Sequence, residues 1–285
     1  MKPQNKWMNE FSKQDIASLE PAMKIGILGT VTPDGLPHLT MISTLKASSA
    51  TRLSFGQFME GRSKEYLRQN PKTGWLVMTL DRQIWRGSAT FTHTARSGVD
   101  YDFYNNSPLF RYNAYFGIHT IYYLDLLAQS GVIPLPMNAV VQAALKTMLA
   151  RSLPGKKSPP AVLNRWTMGM MNKLDNLKFL GYIGGDGYPV VIPCIQAQAA
   201  DAQRILFSAS VFSAELEAIP KGAPLAVFCM SLDMEDVLIR GNFTGLRRIG
   251  GLLCGEVQVD WVYNPMPPVP GQIYPPLPIV TVTEY

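Results

Sequence analysis

Apolar and polar positions along the chain fall into short runs with the period of β-strands, separated by turn residues. IGILGTV is followed by TPDGLP, and an Asp-Gly pair between two apolar runs is the strongest short-range hairpin signal. The pattern predicts strands over residues 25–31 and 38–45, then a third around 53–57. A short helix follows, then an apolar strand over 75–79 and, past a Leu-Asp turn, another over 84–92. The same succession returns later: strands over 179–183, 190–197 and 205–209, a short helix, then strands over 225–230 and 237–244. Several short antiparallel strands with one helix predict a small, partly open barrel in each copy.

The two copies keep one register. Leu28-Gly29-Thr30, Asp34-Gly35 and Pro37 match Leu180-Gly181-Tyr182, Asp186-Gly187 and Pro189, an offset of 152 from Asp34 to Asp186. The offset persists through Arg52-Leu53 and Arg204-Ile205, and through Leu80-Asp81 and Leu232-Asp233. A two-residue shift then brings Arg86-Gly87 onto Arg240-Gly241. A period this long means a duplicated domain and not a stacked solenoid.

Between the copies the spacing changes. Ser107-Pro108 reads as an N-cap and first helical position, and Leu109, Tyr112, Phe116, Tyr123 and Leu127 recur roughly at helical spacing up to Gly131. Two more helical segments are expected over 138–152 and 160–176, separated by Pro154-Gly155 and Pro159-Pro160. The expected division is therefore a first barrel over 1–100, a helical insert over 101–175, a second barrel over 176–264, and a Pro-rich arm over 265–285.

Composition narrows the class. Of 285 residues, 47% are apolar and 16% charged, which is globular and not disordered. The net charge is +5 with no long basic run, so no nucleic-acid partner is expected. Cys194, Cys229 and Cys254 are far apart and the three histidines are isolated, so neither a zinc site nor a disulfide framework is expected. Free thiols fit a reducing, cytoplasmic setting. The polar first twenty residues contain no apolar core of a signal peptide, and the apolar stretch around 114–135 is interrupted by His119, Asp125 and Gln129. No membrane partner is expected.

One stretch carries candidate chemistry: EGRSKEYLRQNP, residues 60–71, where a helix begins on Arg62, Ser63 and Lys64. The helix macrodipole already makes that end positive, and Asp or Glu is the stabilising choice there. Two readings stand at this point: a solvated helix start, or a phosphate site in which backbone N–H groups, a hydroxyl and two cations converge.

The ordered set of an Asp-Gly hairpin, Pro37-His38, Arg52-Leu53-Ser54-Phe55, Arg62-Ser63-Lys64, Leu67, Asn70-Pro71 and Arg86-Gly87 resembles the flavin-binding split barrels related to pyridoxamine 5'-phosphate oxidase. The resemblance covers 22–95 well and 176–248 more loosely. It implies a mainly β fold, two tandem six-stranded split barrels forming a pseudo-dimer around the helical insert, with FMN as cofactor at an interface between barrels. It implies that Arg62, Ser63 and Lys64 hold the FMN phosphate. Thr40, Met41, Ile42 and Ser43 on the second strand, and Phe55, Gly56 and Gln57 on the third, would border the ribityl and ring; for Phe55 ordinary barrel packing is the favoured alternative.

In the second copy the matching segment is FSASVFSAELEAIPKG, which lacks both cations and places Glu215 near the helix start. A carboxylate repels a phosphate, so the second barrel is expected to have lost its own flavin site. The resemblance implies a flavin-dependent oxidoreductase whose substrate and electron donor are not readable, since flavin carries the redox chemistry itself. A non-catalytic flavin or tetrapyrrole carrier or sensor, a deazaflavin reductase and a structural pseudo-dimer without cofactor remain open. Pyridoxamine phosphate oxidation itself is not expected, because the Pro-rich end lacks the basic motif which that enzyme uses. His38, His93 and His119 are more often structural than proton donors. Trp85, Tyr112 and Tyr115 either line the flavin face or pack in a core. A homodimer is a further possible assembly.

Overall fold

The computed structural model describes residues 7–57, 61–107, 117–153, 161–233, 235–265 and 271–278. The chain divides into two compact units, Met1–Leu135 with Ile183–Val191, and Pro136–Tyr182 with Ile192–Tyr285. Tyr112 and Tyr115 lie outside the described residues.

The first unit holds α1 (Lys13–Leu19), β1 (Lys24–Val31), β2 (Pro37–Met41), β3 (Lys46–Ser49), β4 (Arg52–Gln57), α2 (Arg62–Gln69), β5 (Lys72–Thr79), β6 (Gln83–Ala95), α3 (Val99–Asn105), β7 (Thr120–Gln129) and β8 (Ile133–Pro134). The strands run in the order β2-β1-β5-β6-β7-β4-β3, antiparallel throughout, and β8 adds to β6. This is a split barrel. Its core is the inward face of the pleat, with Leu28, Leu53, Phe55, Trp75, Val77, Tyr122 and Leu124 buried together. A capping box starts α1: Ser12 Oγ accepts from Asp15 N, while the Asp15 carboxylate accepts from Ser12 N at 2.9 Å.

The second unit holds α4 (Met137–Ser152), α5 (Arg165–Asn172), β9 (Leu177–Ile183), β10 (Pro189–Pro193), β11 (Gln198–Ala199), β12 (Arg204–Ser208), α6 (Ser213–Glu217), β13 (Pro224–Met230), β14 (Asp236–Ile249), β15 (Leu252–Asn264) and β16 (Gly271–Tyr274). Residues 183–191 of β9, β10 and their turn count with the first unit. The strand order, β10-β9-β13-β14-β15-β12-β11, repeats that of the first sheet strand for strand, so the duplication read from the sequence holds as two tandem split barrels. β16, from the Pro-rich end, pairs with β15. Val140, Ala143, Thr147 and Ala150 of α4 are buried at helical spacing against β11, β12 and β15.

Three expectations are corrected. Of the helix read from Ser107-Pro108 to residue 131, residues 108–116 lie outside the described residues, and Thr120–Gln129 is instead strand β7, paired to β4 and β6. Both faces of the first half of β7 are covered, Tyr122 and Leu124 entering the barrel core while Ile121 and Tyr123 join a cluster with Tyr104 and Ile118; Asp125 and Leu127 further on are exposed. A strand buried on both faces loses its alternation and reads as a continuous apolar run. The first barrel therefore extends past residue 100 and includes α3 between β6 and β7, and the described helices between β8 and β9 are α4 and α5. The second correction is that the strand read over 38–45 is two, β2 and β3, broken by a turn in which Leu45 N donates to Ile42 O at 3.2 Å. The strand read over 190–197 breaks likewise, with Ala197 N donating to Cys194 O at 2.9 Å. The third is the count: seven strands, not six, lie on each path.

Arg86-Gly87 and Arg240-Gly241 recur for a structural reason. A Cβ on Gly87 would lie 1.9 Å from the Ala128 carbonyl oxygen, and one on Gly241 would lie 2.1 Å from that of Gln258. Only glycine lets the bulged partner strand approach.

Candidate functional site

α2 follows β4 and packs on β1 and β2, with Tyr66 edge-on to His38 at 5.2 Å between ring centres. Its buried face is Ser63, Lys64, Tyr66 and Leu67, while Arg62 is exposed. Gly61 caps it in extended conformation and offers no side-chain oxygen to the first-turn N–H groups. Lys64 is only 9% exposed, and its Nζ curls back to 3.7 Å from where a Gly61 Cβ would stand. A buried ammonium, a buried hydroxyl and an exposed guanidinium thus gather at the positive end of a helix. At the other end Asn70 N donates to Tyr66 O, and Asn70 Oδ1 accepts from Lys72 N at 3.1 Å, which turns the chain through Pro71 into β5.

The two strand segments of the expected site come together. Thr40 and Met41 are half-buried on β2, opposite Leu28 and Ile27. Past the end of β2, Thr44 Oγ1 accepts from Gly56 N at 3.1 Å and donates to Gly56 O at 3.0 Å, so residues 40–44 meet the end of β4. Ser43 is half-buried at the bend between them. Ile42 and Phe55 turn inward: both are in the barrel core, and Phe55 stacks on Tyr122 at 4.9 Å. Their side chains are packing, as favoured for Phe55, and only their backbones remain for a ligand. A Cβ on Gly56 would touch Ile118 at 2.8 Å. Gln57 is buried and its carbonyl accepts from His119 N at 2.8 Å.

The other candidates have structural partners. His93 stacks on Tyr123 at 4.6 Å, and His119 Nδ1 meets Thr120 Oγ1 at 2.8 Å. Trp85 lies in the core and donates to Asp15 at 2.8 Å. All three cysteines are free and buried, and burial pushes their thiols up.

The sequence reading missed a cavity of about 620 Å³ at the bend of residues 43–46, lined by Pro21, Lys24, Ser43, Lys46, Phe103 and Tyr104 among others. Tyr104 OH donates to Thr44 O at 2.9 Å or to Ser54 O at 3.1 Å, fixing α3 over the bend. The available signal was the pair Lys24 and Lys46, each set in an otherwise uncharged run.

In the second unit, α6 occupies the place of α2. Phe212 stands at its cap in the left-handed region, φ 52° and ψ 38°, and Glu215 is in its first turn.

No family model matches the chain, and no curated protein matches it. Solved structures similar to it include an FMN-binding protein from Syntrophomonas wolfei, at 14% identity and a TM-score of 0.35, covering 43% of this chain and 86% of that one. A putative pyridoxamine 5'-phosphate oxidase from Lactobacillus delbrueckii is 14% identical with a TM-score of 0.33, covering 43% and 94%. An F420 reductase is 20% identical with a TM-score of 0.35, covering 42% and 98%. The split-barrel order itself is carried by the strand pairing of this chain, described above.

Proposed function

We propose that the chain is an FMN-binding protein of the oxidoreductase class, with the FMN phosphate held at the start of α2. The observation that carries this reading is Lys64: an ammonium 9% exposed, folded back beside a glycine cap at the positive end of a helix. The positive end of a helix is where an anion is favoured, and here two cations and a hydroxyl are already gathered at it. The residues fit a phosphate: Lys64 and Arg62 supply charge, Ser63 a hydroxyl, and the uncapped first turn its N–H groups. Thr40, Met41, Ser43, Gly56 and Gln57 would border the rest of the cofactor, joined by backbone at Ile42 and Phe55. When bound, FMN supplies hydride and single-electron transfer. This chain's own residues bind and orient it. A cytoplasmic setting belongs to the same reading.

The test is a flavin fluorescence titration of the Arg62→Ala/Lys64→Ala variant against the parent chain. Two charge-assisted contacts are worth about 1.5–3 kcal/mol each, so even the lower end weakens FMN binding by about a hundredfold. Unchanged affinity returns this helix start to ordinary solvation.

A further inference from the structure

Lys24 is the first residue of β1. It is 9% exposed, yet it lines the 620 Å³ cavity, whose wall is largely apolar and includes Pro21, Ala22, Val99 and Phe103. Among the described residues no carboxylate lies within ion-pair distance of its Nζ. Instead Nζ donates to two backbone carbonyls, Pro21 O at 2.6 Å and Glu20 O at 3.4 Å. A second cation, Lys46, lies on the same cavity, 3.6 Å over the Phe103 ring and 3.2 Å from Asp100. Burial and then the Lys46 charge bring the Lys24 ammonium down to about 8, against a weaker upward pull from Glu20. A lysine desolvated beside another cation is a standard way to obtain a free amine near neutral pH.

The hydrogen bonds bear on where that amine can react. A neutral amine has two N–H bonds and one lone pair. The two carbonyls can take both hydrogens, which leaves the lone pair to the cavity that the side chain lines.

We propose that Lys24 is an amine nucleophile that condenses, in this cavity, with an aldehyde or ketone carried on an apolar body. The nitrogen lone pair forms a bond to the carbonyl carbon, and the C=O π pair moves to oxygen. The two amine hydrogens end on that oxygen, which leaves as water, and a C=N bond to Lys24 remains. Nothing is oxidised or reduced. The charged and titratable groups facing Lys24 are Glu20, Lys46 with its partner Asp100, and Asp102 and Tyr104 of α3. Burial raises Tyr104, so its hydroxyl stays neutral, and Lys46 is partly offset by Asp100. The cavity volume lies in the range of small-molecule sites. The proposal does not depend on what α2 binds.

The test uses the whole chain with 2-naphthaldehyde and cyanoborohydride at pH 7, and site occupancy by peptide mass spectrometry. Exposed Lys13 and Lys173 serve as internal references. A lysine near 8 holds roughly a hundredfold more free amine at pH 7 than one near 10.4, so Lys24 is expected to label at least tenfold faster than the references. Excess 2-naphthalenemethanol, which cannot condense, should slow labelling at Lys24 and leave Lys13 and Lys173 unchanged. Labelling of Lys24 no faster than the references overturns the nucleophile. Fast labelling that the alcohol does not slow overturns the cavity as the site.

Discussion

α2 and α6 stand at the same point of two barrels with the same strand order, after β4 and β12 and before β5 and β13. Each is anchored by one fully buried leucine, Leu67 and Leu216. Their first turns differ. α2 begins on Arg62, Ser63 and Lys64 behind an extended glycine, while α6 begins on Ser213, Ala214 and Glu215 behind a left-handed Phe212. Both first turns carry a carboxylate that follows the helix-dipole rule, Glu65 and Glu215, and the difference is the two cations, Arg62 and Lys64, that break it in α2 alone. The difference teaches that duplication kept the packing anchor in both barrels and left the electrostatically costly turn in one.

The largest expected effect tests what the two helices share. Leu67→Ala and Leu216→Ala should each destabilise the chain by about 2–5 kcal/mol, because both remove a fully buried side chain from a barrel. Denaturant unfolding of the two variants measures this; a cost below about 1 kcal/mol in either would break the equivalence.

Buried lysines offer the next contrast. Lys24 lines a cavity, whereas Lys178 of the second barrel is fully enclosed, and burial lowers both. The folded value of Lys24, about 8, lies below its unfolded value of 10.5. The folded chain therefore holds fewer protons than the unfolded chain between those pH values, and stability rises with pH across that window. Lys24→Met should remove its share of the rise, on the order of 2–3 kcal/mol, and make the variant more stable than the parent at pH 7. Melting curves from pH 7 to 10.5 check the sign; a variant less stable at pH 7 contradicts it.

A smaller effect separates the two first turns. Ser63→Ala should weaken FMN binding by roughly threefold to tenfold, the worth of one hydrogen bond, with little change in melting temperature. The smallest effect is expected for Ser213→Ala, which leaves FMN affinity unchanged and stability within about 0.5 kcal/mol. A loss of affinity at Ser213 matching that at Ser63 would erase the distinction between the barrels.

Much of this was legible in the chain. The Asp-Gly turns, the strands around them and the 152-residue register follow from local chemistry, since a turn needs its glycine whatever surrounds it. The alternation of Val257 and Val259 in β15 was also there to be read, although no strand was assigned to it. β7 was not legible, because covering of its first half on both faces removed the period that separates strand from helix there.

For the site, the sequence by itself determined that Arg62, Ser63 and Lys64 share one helix start and that the second copy lacks their charges. Only the tertiary structure decided which of them is buried. α2 turns Ser63 and Lys64 toward the barrel and leaves Arg62 in solvent, and that choice depends on where β1 and β2 lie beneath the helix. The cavity at Lys24 and Lys46 depends likewise on contacts between β1, the bend before β3 and α3, far apart in the chain. Charge and turn propensity belong to single residues and their neighbours, so they can be read along the chain. Burial belongs to the packing of distant segments, and no local pattern contains it.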